Sequence, residues 1–294
     1  VNTIEKLFLI PVGKVSSIKY SISGREVNLI AHTTPDYLII EVEPIQPDAV
    51  NSDLVDLSAD FVAAMEETQT LKELCDLVAV SIKRVTGYDR VMVYRFDENY
   101  NGEVLSESKN EELEGFLGLH YPHTDIPAQA RQLYIKNQLR IIVDVNYAPV
   151  PIYTTANVSN EGLDLSLSVL RSVSPIHVQY LQNMGVGATL TISLLLRGKL
   201  WGLIACHHYS AKYLPYDVRM SAKLLGHFIT SQIDTRKLNE EYDVINKLNH
   251  AVEHFSSKKV SFNRESLVEI VTDPAILSVC NADGVAVMVN SIVY

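Results

Sequence analysis

Two arginines stand in stretches that are otherwise apolar: Arg140 within Gln-Leu-Arg-Ile-Ile and Arg171 within Val-Leu-Arg-Ser-Val. A guanidinium keeps its charge at any working pH, so it must meet an anion or reach water. Taken singly, each fits the edge of a strand or helix as readily as a site. The chain around them is rich in rings that both pack and hydrogen-bond: Tyr94, Phe116, His120, Tyr121, His123, Tyr134, His177, Tyr180, His207 and His208. Two arginines among such rings suit one large, flat, apolar ligand that carries carboxylates. Aromatic faces would pack it, the arginines would take its acids, and the His and Tyr polar atoms would orient it.

Other chemistries find less support. The sequence has no G-x-G-x-x-G, no P-loop, no H-E-x-x-H and no G-x-S-x-G, and no nucleophile, base and orienting acid can be picked out by spacing, so no catalytic residue is assigned. Cys206-His207-His208 offers ligand atoms, but neighbours on a strand point to opposite faces and no C-x-x-C accompanies them, so no metal site is assigned either.

The elements that would position these residues follow from the hydrophobic pattern. Residues 1–45 read as strands and end in YLIIEVEP, after which Pro44, Pro47 and Asp48 mark a linker. The period turns helical from about Leu54. Thr70-x-x-Glu73 is a capping box, Leu71, Leu74, Cys75, Val78, Ile82 and Val85 form one apolar stripe, and Gly87 closes the helix. Cys75 on that stripe reads as a core thiol. Arg90–Phe96 reads as a strand, and residues 111–160 as short helices and loops punctuated by Pro122, Pro127, Pro149 and Pro151. Ala188–Leu196 and Leu200–His208 are two strands of a hairpin turning at Arg197-Gly198-Lys199. The expected class is α+β, an antiparallel sheet backed by helices, with a long irregular middle of the sort that usually carries function.

A helix of about 40 residues is expected from Tyr216 to about Ser256, roughly 60 Å at 1.5 Å per residue. Leu225, Phe228, Leu238, Tyr242, Ile245, Leu248, Val252 and Phe255 recur near a 3.5-residue spacing, which suits pairing with a second copy of the chain. Two helices broken near Asn239 would be the plainer alternative. Beyond it, Glu265–Val271 reads as helix and Ala275–Val293 as strands around an Asn281-Ala282-Asp283-Gly284 turn.

The 294 residues carry 47% hydrophobic side chains, enough for two domains with packed cores, and a formal net charge of −10, which repels phosphate backbones and argues against a nucleic-acid partner. No run approaches ~18 uninterrupted apolar residues, so no membrane span is expected. Cys75, Cys206 and Cys280 are too few and too scattered for a disulfide framework, which suits a reducing, cytoplasmic setting. The chain opens at Val1 and stops at Tyr294 inside an apolar run, as a piece of a longer protein would.

Several runs, in order, resemble the chromophore-binding GAF domain of bacterial phytochromes: YDRVMVYRFDENYNGEVLSES from Tyr88, PHTDIP from Pro122, AQARQLYIKNQLR, LRSVSPIHVQYLQNMGVGATLTISL and LWGLIACHH. The resemblance implies the end of a PAS domain at 1–45, the GAF domain at 54–212, a connecting and dimer-forming helix at 213–258 and the start of a PHY domain at 259–294. It implies a red/far-red light receptor that binds a linear tetrapyrrole and signals to an output module such as a histidine kinase, whose partner would be a response regulator. It further implies that the Asp125 carbonyl accepts from pyrrole N–H groups, with Ile126 beside it, and that His177 contacts the central rings. Arg140 and Arg171 would hold one propionate, Ser174 would assist, and Thr189 and Thr191 would hold the other. Tyr94, Tyr121, Tyr134 and Tyr180 would surround the mobile end ring, and His207 would bond its carbonyl. Position 124 is Thr where the family's motif usually has Ser.

One departure matters. Ile176 stands where plant and many cyanobacterial phytochromes carry the cysteine that bonds the pigment, and an isoleucine forms no thioether. Bacterial members use a cysteine ahead of the PAS domain instead, which points to biliverdin and leaves two expectations, an anchor N-terminal to this chain or binding without a covalent bond. Two other readings stay open on the residues alone: a GAF domain sensing a different small ligand, such as a cyclic nucleotide, and a dimerisation module with a vestigial pocket.

Overall fold

The computed structural model describes residues 3–45, 53–155, 162–257, 264–280, 282–289 and 291–293, and the chain divides into two compact units, Val1–Ile233 and Asp234–Tyr294.

The first unit opens with a 3-10 helix, Thr3–Leu9, where a strand was expected. Its Leu7 is buried against Val27, Leu29 and Ala31, so the segment caps a small core with one side chain instead of joining the sheet by its backbone. Three antiparallel strands follow, β1 (Val15–Ile22), β2 (Arg25–Thr33) and β3 (Leu38–Pro44), in the order β1-β2-β3. One face of β2 and β3 is buried although it carries Asn28, His32, Glu41 and Glu43. These groups look into the rest of the unit: the Glu43 carboxylate takes the Arg219 guanidinium at 2.7 and 2.8 Å.

Helices α1 (Asp53–Glu67) and α2 (Leu71–Thr86) come next. The capping box forms as the sequence indicates: Thr70 Oγ1 accepts from the Glu73 N–H at 3.2 Å, and the Glu73 carboxylate accepts from the Thr70 N–H at 3.1 Å. Gly87 closes α2 in the left-handed conformation, and the whole stripe from Leu71 to Val85 is buried.

The main sheet has six antiparallel strands: β4 (Arg90–Phe96), β5 (Gly102–Lys109), β6 (His120–Tyr121), β7 (Leu139–Ile142), β8 (Ala188–Leu196) and β9 (Lys199–His208), in the order β6-β5-β4-β9-β8-β7. The β8–β9 hairpin turns on two residues, Arg197 and Gly198, both at positive φ, and Lys199 already pairs with Leu196; the expected three-residue turn is one residue shorter. The middle region expected as helices and loops also contributes β6 and β7, the two edge strands, which are too short to show a period.

Strand alternation gives this sheet two different faces. Val91, Val93, Leu139, Ile141, Leu190, Ile192, Ile204 and Cys206 face one way and form a single core with α2 and with Val218, Ala222, Leu225, Ile229 and Ile233 of helix α5 (Tyr216–Ser257). The opposite face carries Arg90, Tyr94, Arg140, Thr189, Thr191 and His207 and is overlaid by α3 (Ala128–Lys136), α4 (Pro175–Asn183) and their loops.

The second unit holds the later turns of α5, then α6 (Arg264–Val271), α7 (Pro274–Cys280) and a two-stranded ribbon, β10 (Met288–Val289) with β11 (Ile292–Val293). Helix α5 runs unbroken through Asn239. Residues 275–280, expected as strand, are helical. Asp273 Oδ1 accepts from the Ala275 N–H at 2.9 Å with Pro274 in the first helical position, a start signal that outweighs the β-branched residues behind it. Asn281 of the expected turn lies outside the described residues. Among the described residues, no helix is long and apolar enough to cross a membrane.

Gly202 on β9 tests the register. A methyl group there would overlap the Tyr94 carbonyl oxygen of β4. Gly202→Ala is expected to cost about 2 kcal/mol or more, read as a lower midpoint in urea unfolding; a change below about 0.5 kcal/mol would contradict this strand pairing.

Candidate functional site

The polar face of the main sheet is built by register. His207 on β9 pairs with Thr189 on β8 and with Arg90 on β4, and two residues along, Arg140 on β7 pairs with Thr191. Because paired residues and their i±2 neighbours share a face, these side chains form one lattice, while Cys206 is turned into the helix-backed core. His208 points away from His207 and meets Asp89 at 2.7 Å. The three adjacent residues Cys206, His207 and His208 thus serve three different places.

A second wall comes from α3, α4 and the turn at 122–127. Arg131 on α3 clamps that turn, donating to the carbonyls of Ile126 at 2.5 Å and His123 at 3.2 Å. Asp125 stands at the exposed tip of the turn. Tyr94 meets Tyr121 with ring centroids 6.0 Å apart, and Gly102 leaves the space that the Tyr94 ring occupies. Burial raises the Tyr94 phenol pKa, and Asp125, Tyr180 and Tyr121 raise it further, so all four residues converge on one locality. Ile126 and Tyr134 join Phe96, Leu200 and Leu203 in the apolar floor beneath it.

His177 and Tyr180, one turn apart on α4, stack with rings nearly parallel and centroids 6.5 Å apart. The His177 ring is open to solvent, yet surrounding protein still lowers its pKa, and Arg140 lowers it further. A group that water reaches and protein surrounds lines a concavity. His207 is more deeply enclosed: burial, then the charge of Arg90, then His177, bring its pKa down to about 4. It is neutral near pH 7, and its Nδ1 is buried with no hydrogen-bond partner among the described residues.

Arg140 is the electrostatic centre. Its guanidinium carbon sits 4.1 Å from the centroid of the Tyr134 ring, and its Nε and Nη2 are buried with no hydrogen-bond partner among the described residues. Burial lowers its pKa, and the nearby Arg171 lowers it again. Tyr134 opposes that lowering, and the two guanidinium groups concentrate positive charge at this end of the sheet face. Arg171 also borders a cavity of about 490 Å³ between Leu133 of α3 and the loop at 163–172.

The structure thus gathers Tyr94, Tyr121, Asp125, Ile126, Tyr134, Arg140, Arg171, His177, Tyr180, Thr189, Thr191 and His207 around the same sheet face and its overlying turns. Ser174 and Ile176 lie at the start of α4, ahead of His177. Ser174 precedes α4 without a capping hydrogen bond, and Ile176 is 83% exposed. Arg90 escapes the sequence reading. It is fully buried, paired with Glu107, donates to the Glu114 carbonyl at 2.6 Å and lies 3.8 Å over the Phe116 ring. The one available signal was parity, since Arg90, Met92 and Tyr94 alternate with the apolar Val91 and Val93.

A family model for the GAF domain matches residues 70–233. The chain is 41% identical over 271 residues to cyanobacterial phytochrome B of Nostoc sp., covering 90% of this chain and 35% of that protein. It is 42% identical over 221 residues to the bacteriophytochrome of Pseudomonas aeruginosa, covering 74% of this chain and 30% of that one. The chain spans about a third of the length of these curated relatives. Among solved structures it resembles the chromophore-binding domain of Stigmatella aurantiaca phytochrome P1, with TM-score 0.69, 41% identity and coverage of 73% of this chain and 72% of that one. It also resembles the photosensory core module of the Stigmatella aurantiaca phytochrome, with TM-score 0.74, 34% identity and coverage of 95% and 56%.

The low pKa of His207 sets a pH dependence. Its ordinary value is 6.5 and its folded value about 4, so between those limits the unfolded chain binds more protons and stability falls as pH falls. The full shift is worth up to roughly 3 kcal/mol. Replacing His207 with Gln should flatten the acid side of the stability curve of the ligand-free chain below pH 6.5, as read by urea unfolding at several pH values. Superimposable curves for the two proteins would contradict the burial of a neutral ring.

Proposed function

Because the chain belongs to the phytochrome family, through a GAF domain at residues 70–233, we propose that it is the pigment-holding part of a red/far-red light receptor and that its pigment is biliverdin, a linear tetrapyrrole. The observation that carries this reading is the Arg140 guanidinium, buried with two unused donor nitrogens beside aromatic walls. The residue is part-buried and leans on the Tyr134 ring, but two enclosed donor nitrogens without hydrogen bonds still carry a desolvation cost. A bound carboxylate relieves that cost and at the same time explains why Arg171 stands nearby.

In this reading Arg140 and Arg171 hold one propionate and Thr189 and Thr191 the other, with Ser174 reaching the acids from the start of α4. Tyr94, Tyr121 and Tyr180 close around the end ring, and Ile126 and Tyr134 supply the floor. The Asp125 carbonyl faces the pyrrole N–H groups together with His177, and the buried, neutral His207 offers a directional bond to the end-ring carbonyl. When bound, the pigment supplies absorption of red light and rotation about one of its double bonds. The protein supplies dry walls, a fixed grip on the acids and exchangeable hydrogen bonds. Each exchanged bond is worth about 1 kcal/mol, and more where charge is involved, so a few together bias a two-state element.

The described cysteines bear on attachment. Cys75 and Cys206 are wholly buried in the helix-backed core, and burial raises the Cys206 pKa, so neither thiol is suited to bond the pigment. Ile176 offers no sulfur. We read residues 1–45 as the close of a PAS domain, 54–212 as the GAF domain and 259–294 as the opening of a PHY domain. Residues 213–258 form the connecting helix, where Leu238, Tyr242, Ile245, Leu248 and Val252 remain exposed at heptad-like spacing and would pair with a second copy. The longer protein would act in the cytoplasm through an output module such as a histidine kinase and its response regulator.

Mixing the purified chain with biliverdin should produce a red absorption band that changes on illumination and recovers. Arg140→Ala should weaken binding at least tenfold, about 1.4 kcal/mol. A wild-type spectrum that is only the sum of its components would overturn the assignment.

A further inference from the structure

Glu41 is a carboxylate on a sheet that the GAF family model does not cover, since that model begins at residue 70. It is 8% exposed. Its Oε1 accepts two backbone N–H groups, from Val169 at 2.8 Å and from Leu170 at 2.6 Å, 128 and 129 residues further along the chain. The next residue is Arg171. These two amides are therefore held by one side-chain oxygen from another element of the fold, immediately ahead of an arginine whose charge reaches Arg140.

The rest of the segment has other anchors, the nearest of them two residues beyond Arg171. Asp164 is tied to Lys136 of α3 at 2.5 Å, Ser166 lends its carbonyl to Asn137 at 3.1 Å, and the Val173 N–H reaches the Tyr147 hydroxyl at 2.9 Å. Among the described residues, the Arg171 guanidinium makes one hydrogen bond, a long 3.4 Å contact to the neighbouring Ser172 carbonyl. Its backbone is held on both sides, by Glu41 at the two residues ahead of it and by Tyr147 two residues beyond it, and Glu41 supplies the bonds to the immediately adjacent residue.

We propose that Glu41 is a positioning residue for pigment binding: one carboxylate of the N-terminal sheet fixes where the second guanidinium of the pocket stands. The proposal rests on the reading of Arg171 as a propionate partner. It makes recognition of the pigment's acid depend on a residue outside the GAF domain. The second oxygen, Oε2, is buried without a hydrogen-bond partner among the described residues, so both bonds run through Oε1 alone. An amide oxygen can replace Oε1 in both bonds. A methyl group cannot, and the shorter aspartate falls one methylene short.

Two measurements test this, one without pigment. In the pigment-free chain, hydrogen exchange at the Val169 and Leu170 amides should quicken at least tenfold in Glu41→Ala and return close to the wild-type rate in Glu41→Gln. In biliverdin titrations, Glu41→Ala should weaken binding about fivefold to tenfold, and Glu41→Gln should restore most of it. The weakening should vanish, to within twofold, when Arg171 is already alanine, because the two substitutions remove the same contact. If Glu41→Ala does not fold, Glu41→Asp takes its place with the same expectations. Equal weakening in both backgrounds would mean that Glu41 merely stabilises the fold, and unchanged binding despite rapid amide exchange would mean that Arg171 needs no such anchor; either overturns the proposal. Wild-type protein that binds no biliverdin overturns the pigment reading instead, and the exchange measurement still decides whether Glu41 holds the loop.

Discussion

A guanidinium buried beside another, with donors left over, is the constraint around which this pocket is organised. Arg140 enters the sheet interior because Leu139 and Ile141 on either side of it belong to the helix-backed core, and strand alternation then directs Arg140 to the opposite face. The same alternation places His207 between the inward-facing Cys206 and His208. The core side of the sheet is apolar and shut by α2 and α5, so polarity collects on the other side, under α3, α4 and the turn carrying Asp125. Burial then acts on each group by its charge type: it lowers the pKa values of His207, His177 and Arg140 and raises that of Tyr94, all against the charged form. The outcome is an aromatic face with a positive end at Arg140 and Arg171.

The elements that hold this enclosure come from distant parts of the chain. Arg131 pins the 122–127 turn, Gly102 makes room for the Tyr94 ring, Glu107 secures Arg90, and Glu41 reaches across from the N-terminal sheet. Glu43, two residues from Glu41 on the same face of β3, grips Arg219 near the start of α5. One short strand thus touches both the loop beside the pocket and the helix that backs the sheet.

Much of this was legible in the residues, for reasons that are local. The α2 stripe, its capping box and Gly87 depend on neighbours within a few positions, and so do the β8–β9 hairpin and the unbroken run of α5. The polar residues that the structure gathers on one face were marked by type and by number, since one arginine among Leu and Ile fits a strand edge as well as a site, and Arg140 does lie on the edge strand β7. What escaped was either too short to have a period or set by partners far away. Strands β6 and β7 are two and four residues long. Thr3–Leu9 becomes a 3-10 helix because Leu7 finds the small core under β2, and Pro274–Cys280 becomes a helix because Asp273 caps it. Arg90 and Glu41 acquire their roles only from residues 17 and 128 positions away, which no pattern along the chain displays.

The central claim is that Arg140 and its neighbour recognise the acids of the pigment rather than its conjugated rings alone. The most direct test compares biliverdin with its dimethyl ester, which keeps the ring system and removes both charges, in titrations of the wild-type chain and of Arg140→Ala. The account predicts that esterification weakens binding to the wild type at least tenfold and makes much less difference once Arg140 is gone. Equal affinity of the wild type for the acid and the ester would contradict it.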